Sequence, residues 1–320
     1  MDGLSELLDG PRANGAFLLR AVMGPPWSIR IEDRAPLSVT AVVSGDAWVI
    51  HDDGDAVRLG PGELVLMRGP DPYTIADGPD TPRQIVVGPG QVCTTIDGAD
   101  VSQAMLLGVR TWGNDLGGST VMLCGTYEST TAIGNRLLAS LPTRVVVPAE
   151  AFDSPLVDFL AAEIVKEAPG QAVVLDRLLD LLVIEVVRTW FSRPDVEAPA
   201  WYGVHSDPVV GRALSLIQND PGHPWSVAEL ARECGVSRAA FARRFADLVG
   251  QPPMTFLTEW RMTLAADLLV QPDATIAAVA EEVGYSSAFA LSTAFKRTLG
   301  MSPHEHRLAH AAAARGLVPA

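Results

Sequence analysis

Three arginines stand within seven residues of one another, Arg238, Arg243 and Arg244, in the stretch SRAAFARRF. A guanidinium holds its donors in a rigid fork. It grips a carboxylate, a phosphate, or the O6 and N7 edge of a guanine with two bonds at once. On a helix, Arg238, Ala239, Ala242 and Arg243 share an outward face, while Phe241 and Phe245, four apart, point inward. Arg244 lies to the side, where a phosphate or another group of the same chain would meet it. The later stretch AFALSTAFKR turns Ala288, Phe289, Ser292 and Thr293 outward, with Lys296 and Arg297 one turn further on. That face offers little hydrogen bonding. Phe289 suits a thymine methyl, and Lys296 and Arg297 suit a phosphate backbone. For each cation the plain alternative is a solvated helix face, but three arginines so close in a near-neutral region favour contact with an anion.

Elements must hold these side chains in place, and the sequence repeats the elements. Ser226 pairs with Thr275 and Gly235 with Gly284 at an offset of 49; Phe245 pairs with Phe295, Gly250 with Gly300 and Pro253 with Pro303 at an offset of 50. One residue is therefore inserted after the shared turn glycine. Each copy reads as a short helix capped by Ser226 or Thr275, a turn at Gly235 or Gly284, and a second helix from Ser237 or near Ser286. A glycine turn sets two helices at a steep angle, so that the second can enter a major groove. Between the copies, Phe256, Leu257, Trp260, Leu264, Leu268 and Leu269 fit a helix packed on both. A rigid connector would hold two reading helices about 34 Å apart, the spacing of successive major grooves.

The stretches SVAELARECGVSRAAFARRF, RMTLAADLL and IAAVAEEVGYSSAFALSTAFKRTLGMSPHEHR resemble the DNA-binding domain of AraC/XylS-type transcription regulators, over residues 207–308. The resemblance implies an all-α domain of two helix-turn-helix units joined by a long helix. It also implies a double-stranded DNA operator, a homodimer, and RNA polymerase as a partner where transcription is activated. The three cysteines, Cys93, Cys124 and Cys234, are few and widely spaced, which fits a reducing cytoplasm. The family usually has an arginine where Thr293 stands, so the first unit is expected to carry most direct base reading.

Upstream the composition changes. Residues 1–203 carry 14 Lys and Arg against 27 Asp and Glu; residues 204–320 carry 10 against 11. The formal net charge of −14 thus belongs to the first two-thirds and does not bar the C-terminal part from phosphates. In PLSVTAVVSGDAWVIHDDGDAVRLGPGELVLMRG (36–69), short apolar runs are split by SGD, DDGD and GPGE, the signature of an antiparallel sandwich or barrel. It resembles the degenerate cupin barrel of many family members. The expected fold is multidomain α+β: a cupin-like sensor over 1–150, a helical hairpin over 151–192, a linker over 193–206 and the DNA-binding domain over 207–320. The hairpin's first helix is expected over 154–168, opened by Ser154 as cap and Pro155. Its second, over 173–191, carries Leu175, Leu178, Leu179, Leu182, Val183, Val186, Val187 and Trp190 on one stripe. Leu156, Phe159, Leu160 and Ile164 would cover part of that stripe. The remainder, Leu182 included, is expected to form a two-fold subunit contact, with packing wholly against the barrel as the alternative.

A metal cupin needs an H-x-H pair, a glutamate and a further histidine. Here only His51 is present, in SGDAWVIHDD, and Pro72 and Tyr73 stand where the last histidine would be. No metal or cofactor is expected, and no Ser/His/Asp spacing, phosphate loop or carboxylate pair suggests catalysis. A small-molecule effector is expected in the barrel mouth, with Trp27, Arg30, Trp48, Tyr73 and Cys124 as candidate lining groups. Two alternatives stay open: a cupin-type enzyme fused to a helical domain, and a thiol-based redox sensor using Cys93 and Cys124. Cys234 reads as core. No run of 18 uninterrupted apolar residues occurs, so no membrane span is expected, and MDGLSELLDGPR does not read as a secretory signal.

Overall fold

The computed structural model describes residues 17–127, 138–152, 154–196, 204, 207–271 and 273–313. Most of the expected linker and the whole N-terminal MDGLSELLDGPR stretch lie outside them. The described chain falls into two compact units, one holding the sheets and the first two helices, the other the remaining helices.

In the first unit, strands follow one another at short spacing: β1 (Phe17–Met23), β2 (Ser28–Ile31), β3 (Leu37–Ser44), β4 (Ala47–His51), β5 (Ala56–Leu59), β6 (Leu64–Arg68) and β7 (Tyr73–Ala76). Then come β8 (Ile85–Val87), β9 (Cys93–Thr95), β10 (Leu106–Gly108), β11 (Thr111–Gly113), β12 (Thr120–Tyr127) and β13 (Arg144–Val147). The three breaks expected between β3 and β6 are turns with a left-handed glycine in each, Gly45, Gly54 and Gly62. The strands form two sheets, in the orders β10-β11-β1-β12-β3-β6-β13 and β5-β4-β7-β2-β8-β9. Pairing is antiparallel except for β1 with β11 and β2 with β8, which run parallel. The two sheets share one apolar core, including Met23, Trp27, Val49, Leu59, Val65 and Met122.

The hairpin is α1 (Leu156–Glu163) and α2 (Gln171–Phe191). α1 is shorter than the sequence suggests. Pro155, not Ser154, takes the N-cap position, although Ser154 Oγ accepts from the Leu156 amide at 3.4 Å. The buried Gln171 side chain donates to the Glu163 carbonyl at 2.7 Å and ends α1 there. On α2 the expected stripe is buried from Leu175 to Val187, with Trp190 half-buried. It packs inside its own unit: a Cβ on Gly125 of β12 would collide with the Leu179 side chain. Two expectations need correction. Phe159 does not cover the stripe but lies exposed, and Leu182 is 2% exposed, so its face is not left over for a second subunit. The large apolar residues that α2 leaves in water are Val173, Val174 and Leu181.

The second unit holds α3 (Val210–Asn219), α4 (Val227–Glu233), α5 (Arg238–Val249), α6 (Pro253–Leu269), α7 (Ile276–Glu282), α8 (Ala288–Leu299) and α9 (Pro303–Ala313). The connector α6 serves two cores. Its first half buries Phe256, Leu257 and Trp260 with Phe241 and Phe245 of α5. Its second half buries Met262, Ala265, Ala266 and Leu269 with Leu291 and Phe295 of α8. Leu264 is half-buried and packs against both, as the sequence suggests.

Candidate nucleic-acid interface and barrel cavity

The two helix-turn-helix frames are built from the same local chemistry. Ser226, Ser237, Thr275 and Ser287 each cap a helix, their hydroxyls accepting from the amides of Glu229, Ala240, Ala278 and Ala290. The second cap of the second unit is therefore Ser287, one residue past the expected Ser286. Gly235 and Gly284 take φ of 70° and 75°, and the residue after each closes the turn back five residues: Val236 donates to Ala231, Tyr285 to Ala280. Gly250 and Gly300 end the reading helices in the left-handed region. Gly235 needs only its φ, because a Cβ there would meet open space. At Gly284 a Cβ would lie 2.5 Å from the Gly222 carbonyl oxygen and 2.8 Å from the Arg261 guanidinium.

These frames turn the candidate side chains as follows. On α5, Arg238, Ala239 and Arg243 are exposed and Ala242 is half-buried, while Phe241 and Phe245 are in the core. Arg244 is exposed too, but its Nε and Nη2 donate to one Asp207 carboxylate oxygen at 2.9 and 2.6 Å. The other oxygen of Asp207 accepts from the amides of Val209 and Val210 at the start of α3. Burial opposes the charge of Asp207, yet Arg244 and the two amides hold its carboxyl below the usual range. Of the two roles open to Arg244, the free chain thus displays the intramolecular one. On α8, Phe289, Thr293, Lys296 and Arg297 are exposed and Ala288 and Ser292 half-buried. Phe289, Ser292, Thr293, Lys296 and Arg297 line one shallow depression together with Ser302.

Sequence reasoning missed the groups that fix the joint between the units. Arg261 of α6 donates from Nε to the Pro221 carbonyl at 2.7 Å and from Nη2 to the His223 carbonyl at 2.8 Å. Its guanidinium also sits 5.9 Å from the centre of the Tyr285 ring. Arg307 of α9 donates from Nε to the Leu269 carbonyl at 2.6 Å, at the end of α6, and to that of Ala274. Arg261 is the one cation of the connector, set between the buried Trp260 and Met262, and that was the available signal.

The sheet-rich unit encloses a cavity of about 310 Å³, walled mainly by apolar side chains such as Leu19, Ile29, Ile75, Trp112 and Met122. Tyr73 and Cys124 stand in its wall, as expected. Trp27, Arg30 and Trp48 do not. Trp27 is fully buried in the core. Arg30 is held by Asp52 through two bonds of 2.5 and 2.6 Å and by Glu32 at 3.0 Å. Trp48 lies on the outward face of β4, between the inward Ala47 and Val49. Asp33, Gln91 and Arg110 line the cavity and were not anticipated; they come from loops with no period to betray them. Cys93 and Cys124 both reach this cavity, but burial raises both thiols, Cys124 to about 11, the reverse of what a reactive thiolate needs. His51 is at the tip of the β4–β5 hairpin, its amide and carbonyl bonded to Asp55 and Gly54. Among the described residues no three His, Cys, Asp or Glu side chains gather as metal ligands. No described helix is long and apolar enough to cross a membrane.

Similarity to known proteins agrees with this division. A cupin family model matches residues 2–192, and a helix-turn-helix domain model matches residues 230–309. A putative AraC-like transcription regulator of Streptomyces lividans is 30% identical over 96% of this chain and 98% of its own. One of Streptomyces antibioticus is 32% identical over the same shares. The chain belongs to the AraC-like transcription regulators. Its N-terminal part belongs to the cupins. The HTH-type transcriptional regulator AlkR of Acinetobacter baylyi is 28% identical over 96% of this chain and 99% of its own. As an AraC-like regulator the chain is a DNA-binding transcription regulator, and the fold class expected from the sequence stands.

Proposed function

We propose that this AraC-like regulator grips a double-stranded operator with α5 and α8 in successive major grooves. Arg238 and Arg243, beside Ala239 and Ala242, read bases. Lys296 and Arg297 hold phosphates, and Arg244 stays on Asp207 or exchanges it for a phosphate. The single observation that carries this reading is the matched pair of capped, glycine-turned frames, each leaving a reading face in solvent. Residues 1–150 act as sensor, 151–192 as dimerisation hairpin, 193–206 as linker and 207–320 as reader. The cavity of the sheet-rich unit takes a small, largely apolar effector, and its few polar groups fix the effector's orientation. A homodimer would use the exposed Val173, Val174 and Leu181 of α2. The protein acts in the cytoplasm, without catalysis of its own, and contacts RNA polymerase where it activates.

Footprinting the full chain on DNA upstream of its own and neighbouring genes tests the reading. Protection should cover two adjacent groove segments per chain, and the logarithm of affinity should fall with the logarithm of salt by about 0.9 per phosphate neutralised. Protection of one segment only, or binding indifferent to salt, would overturn it.

A further inference from the structure

The reading face of α8 is defined by what it cannot donate. Ala288 has no polar side-chain atom. The Ser292 hydroxyl donates to the Ala288 carbonyl at 2.8 Å, and the Thr293 hydroxyl donates to the Phe289 carbonyl at 3.0 Å. Both donors are spent inside the helix, and the two oxygens remain as acceptors alone. The charged donors, on Lys296 and Arg297, come one turn after Ser292 and Thr293 and two turns after Phe289. In a docked helix-turn-helix the N-terminal residues of the second helix meet the bases, and groups further along meet the backbone.

What α8 sends outward near its N-terminus is the Phe289 ring. It is 82% exposed, more than any other large apolar side chain among the described residues. Every other phenylalanine ring described in this unit is buried. A ring left in water adds nothing to the stability of the free chain, since it removes almost no apolar surface from solvent. It lies at one end of the depression whose other end carries Lys296 and Arg297. The cations suit phosphate, so the occupant is DNA, and the ring must then meet a base edge. The major-groove edges of the four base pairs display donors, acceptors and one apolar group, the 5-methyl of thymine.

We propose that Phe289 is a specificity-determining residue that reads one thymine through its 5-methyl group. The second unit then takes its base preference from a methyl rather than from hydrogen bonds. This rests on the interface proposed above. It differs from the first unit, where Arg238 and Arg243 present forked donors.

The test begins by selecting an operator from random duplex DNA with the full chain. Each thymine is then replaced singly by deoxyuridine, which removes the methyl and nothing else. At one position in the segment met by α8, wild-type affinity should fall about fourfold, the worth of one buried carbon. Phe289→Ala should bind the thymine operator more weakly and be indifferent to the methyl at that position. Phe289→Leu should keep part of the methyl effect. Cytosine against 5-methylcytosine at the same position should repeat the difference in wild type only. Circular dichroism of both variants should match wild type, because the ring is not part of the core. If no thymine is methyl-sensitive, or the sensitive one is equally so in Phe289→Ala, the inference fails while the interface stands. If the chain selects no sequence at all, the interface reading fails and takes the inference with it.

Discussion

Arg261 is expected to set the rigidity of the joint between the two reading units, and Arg261→Met removes its charge while keeping most of the apolar stem. The side chain makes two bonds from a charged donor, to the carbonyls of Pro221 and His223. Each such bond contributes about 1.5–3 kcal/mol. Two effects reduce the sum. Burial of the guanidinium already pulls its pKa down, so the wild type carries a desolvation cost that the variant escapes. Both carbonyls also belong to half-exposed residues, where water replaces the lost donor. The net is a loss of about 2 kcal/mol, equivalent to roughly a 30-fold shift in the local opening equilibrium.

Hydrogen exchange read by mass spectrometry on the intact chain measures this locally. The His223 amide bonds to the Asp220 carbonyl and the Tyr285 amide to that of Ala280, one on each side of Arg261. In Arg261→Met both segments should exchange about 30-fold faster, while the interiors of α5 and α8 change little. A joint loosened in this way should also tolerate spacing errors. One base pair inserted between the two groove segments should cost the variant less affinity than it costs wild type. Unchanged exchange would mean that the two bonds hold nothing. A uniform rise through all the helices would mean that Arg261 supports the whole unit rather than the joint. Either result refutes the argument.

Arg243→Ala should relax base preference at one position, at a cost of about 1–3 kcal/mol there, whereas Lys296→Ala should weaken all sequences alike; competition with point-mutated operators separates the two. Leu182→Glu puts a carboxylate into the core of the sheet-rich unit and should unfold it, while Leu181→Glu, at a site 48% exposed, should keep the fold and dissociate the proposed dimer; sedimentation with circular dichroism distinguishes them. The Cys124 thiol, raised to about 11 from an ordinary value near 9.0 by burial, stays protonated through neutral pH. Its alkylation by iodoacetamide should climb about tenfold per pH unit past 9, without the plateau of an exposed thiol. The linkage has the same sign: an unfolded chain ionises first, so this thiol favours unfolding as pH rises above about 9.

The repeat made the second unit legible because its frame is written in residues with strict backbone roles. Cap hydroxyls at Ser226 and Thr275 and left-handed glycines at Gly235 and Gly284 leave few substitutes, so the pattern survives in letters. The strand breaks at Gly45, Gly54 and Gly62 were legible for the same reason. Groups whose role depends on distant partners were not. Asp207 and Arg244 are 37 residues apart, and Arg261 meets carbonyls about 40 residues upstream. The α2 stripe was read correctly as buried, but a second subunit was preferred to the chain's own barrel as its partner. What admits Leu179 is the missing side chain of Gly125, which looks like any strand glycine in VMLCGTY. The cavity wall failed in a similar way, because Trp27 and Arg30 attract attention by type while burial and Asp52 have already claimed them.

Two equal frames carrying unequal faces have a consequence for how DNA is read. The frame residues repeat because backbone geometry requires them. The face residues are exposed or half-buried in the free chain and none of them belongs to either core, so folding constrains them less and they are free to diverge. Here they diverge in kind: forked donors at Arg238 and Arg243 on one side, an apolar ring and two phosphate-seeking cations on the other. A pair of identical units would bind a tandem repeat, and shifting the chain by one groove segment would cost only the contacts of one unit. With unequal units and the contacts proposed above, the same shift would set arginine forks over a base chosen for its methyl and a ring over a guanine edge. Both units then lose their partners at once, and buried donors go unpaired. On the contacts proposed above, the asymmetry would fix the register and direction of each chain on its operator, and a paired operator would have to present its two half-sites in a defined relative orientation.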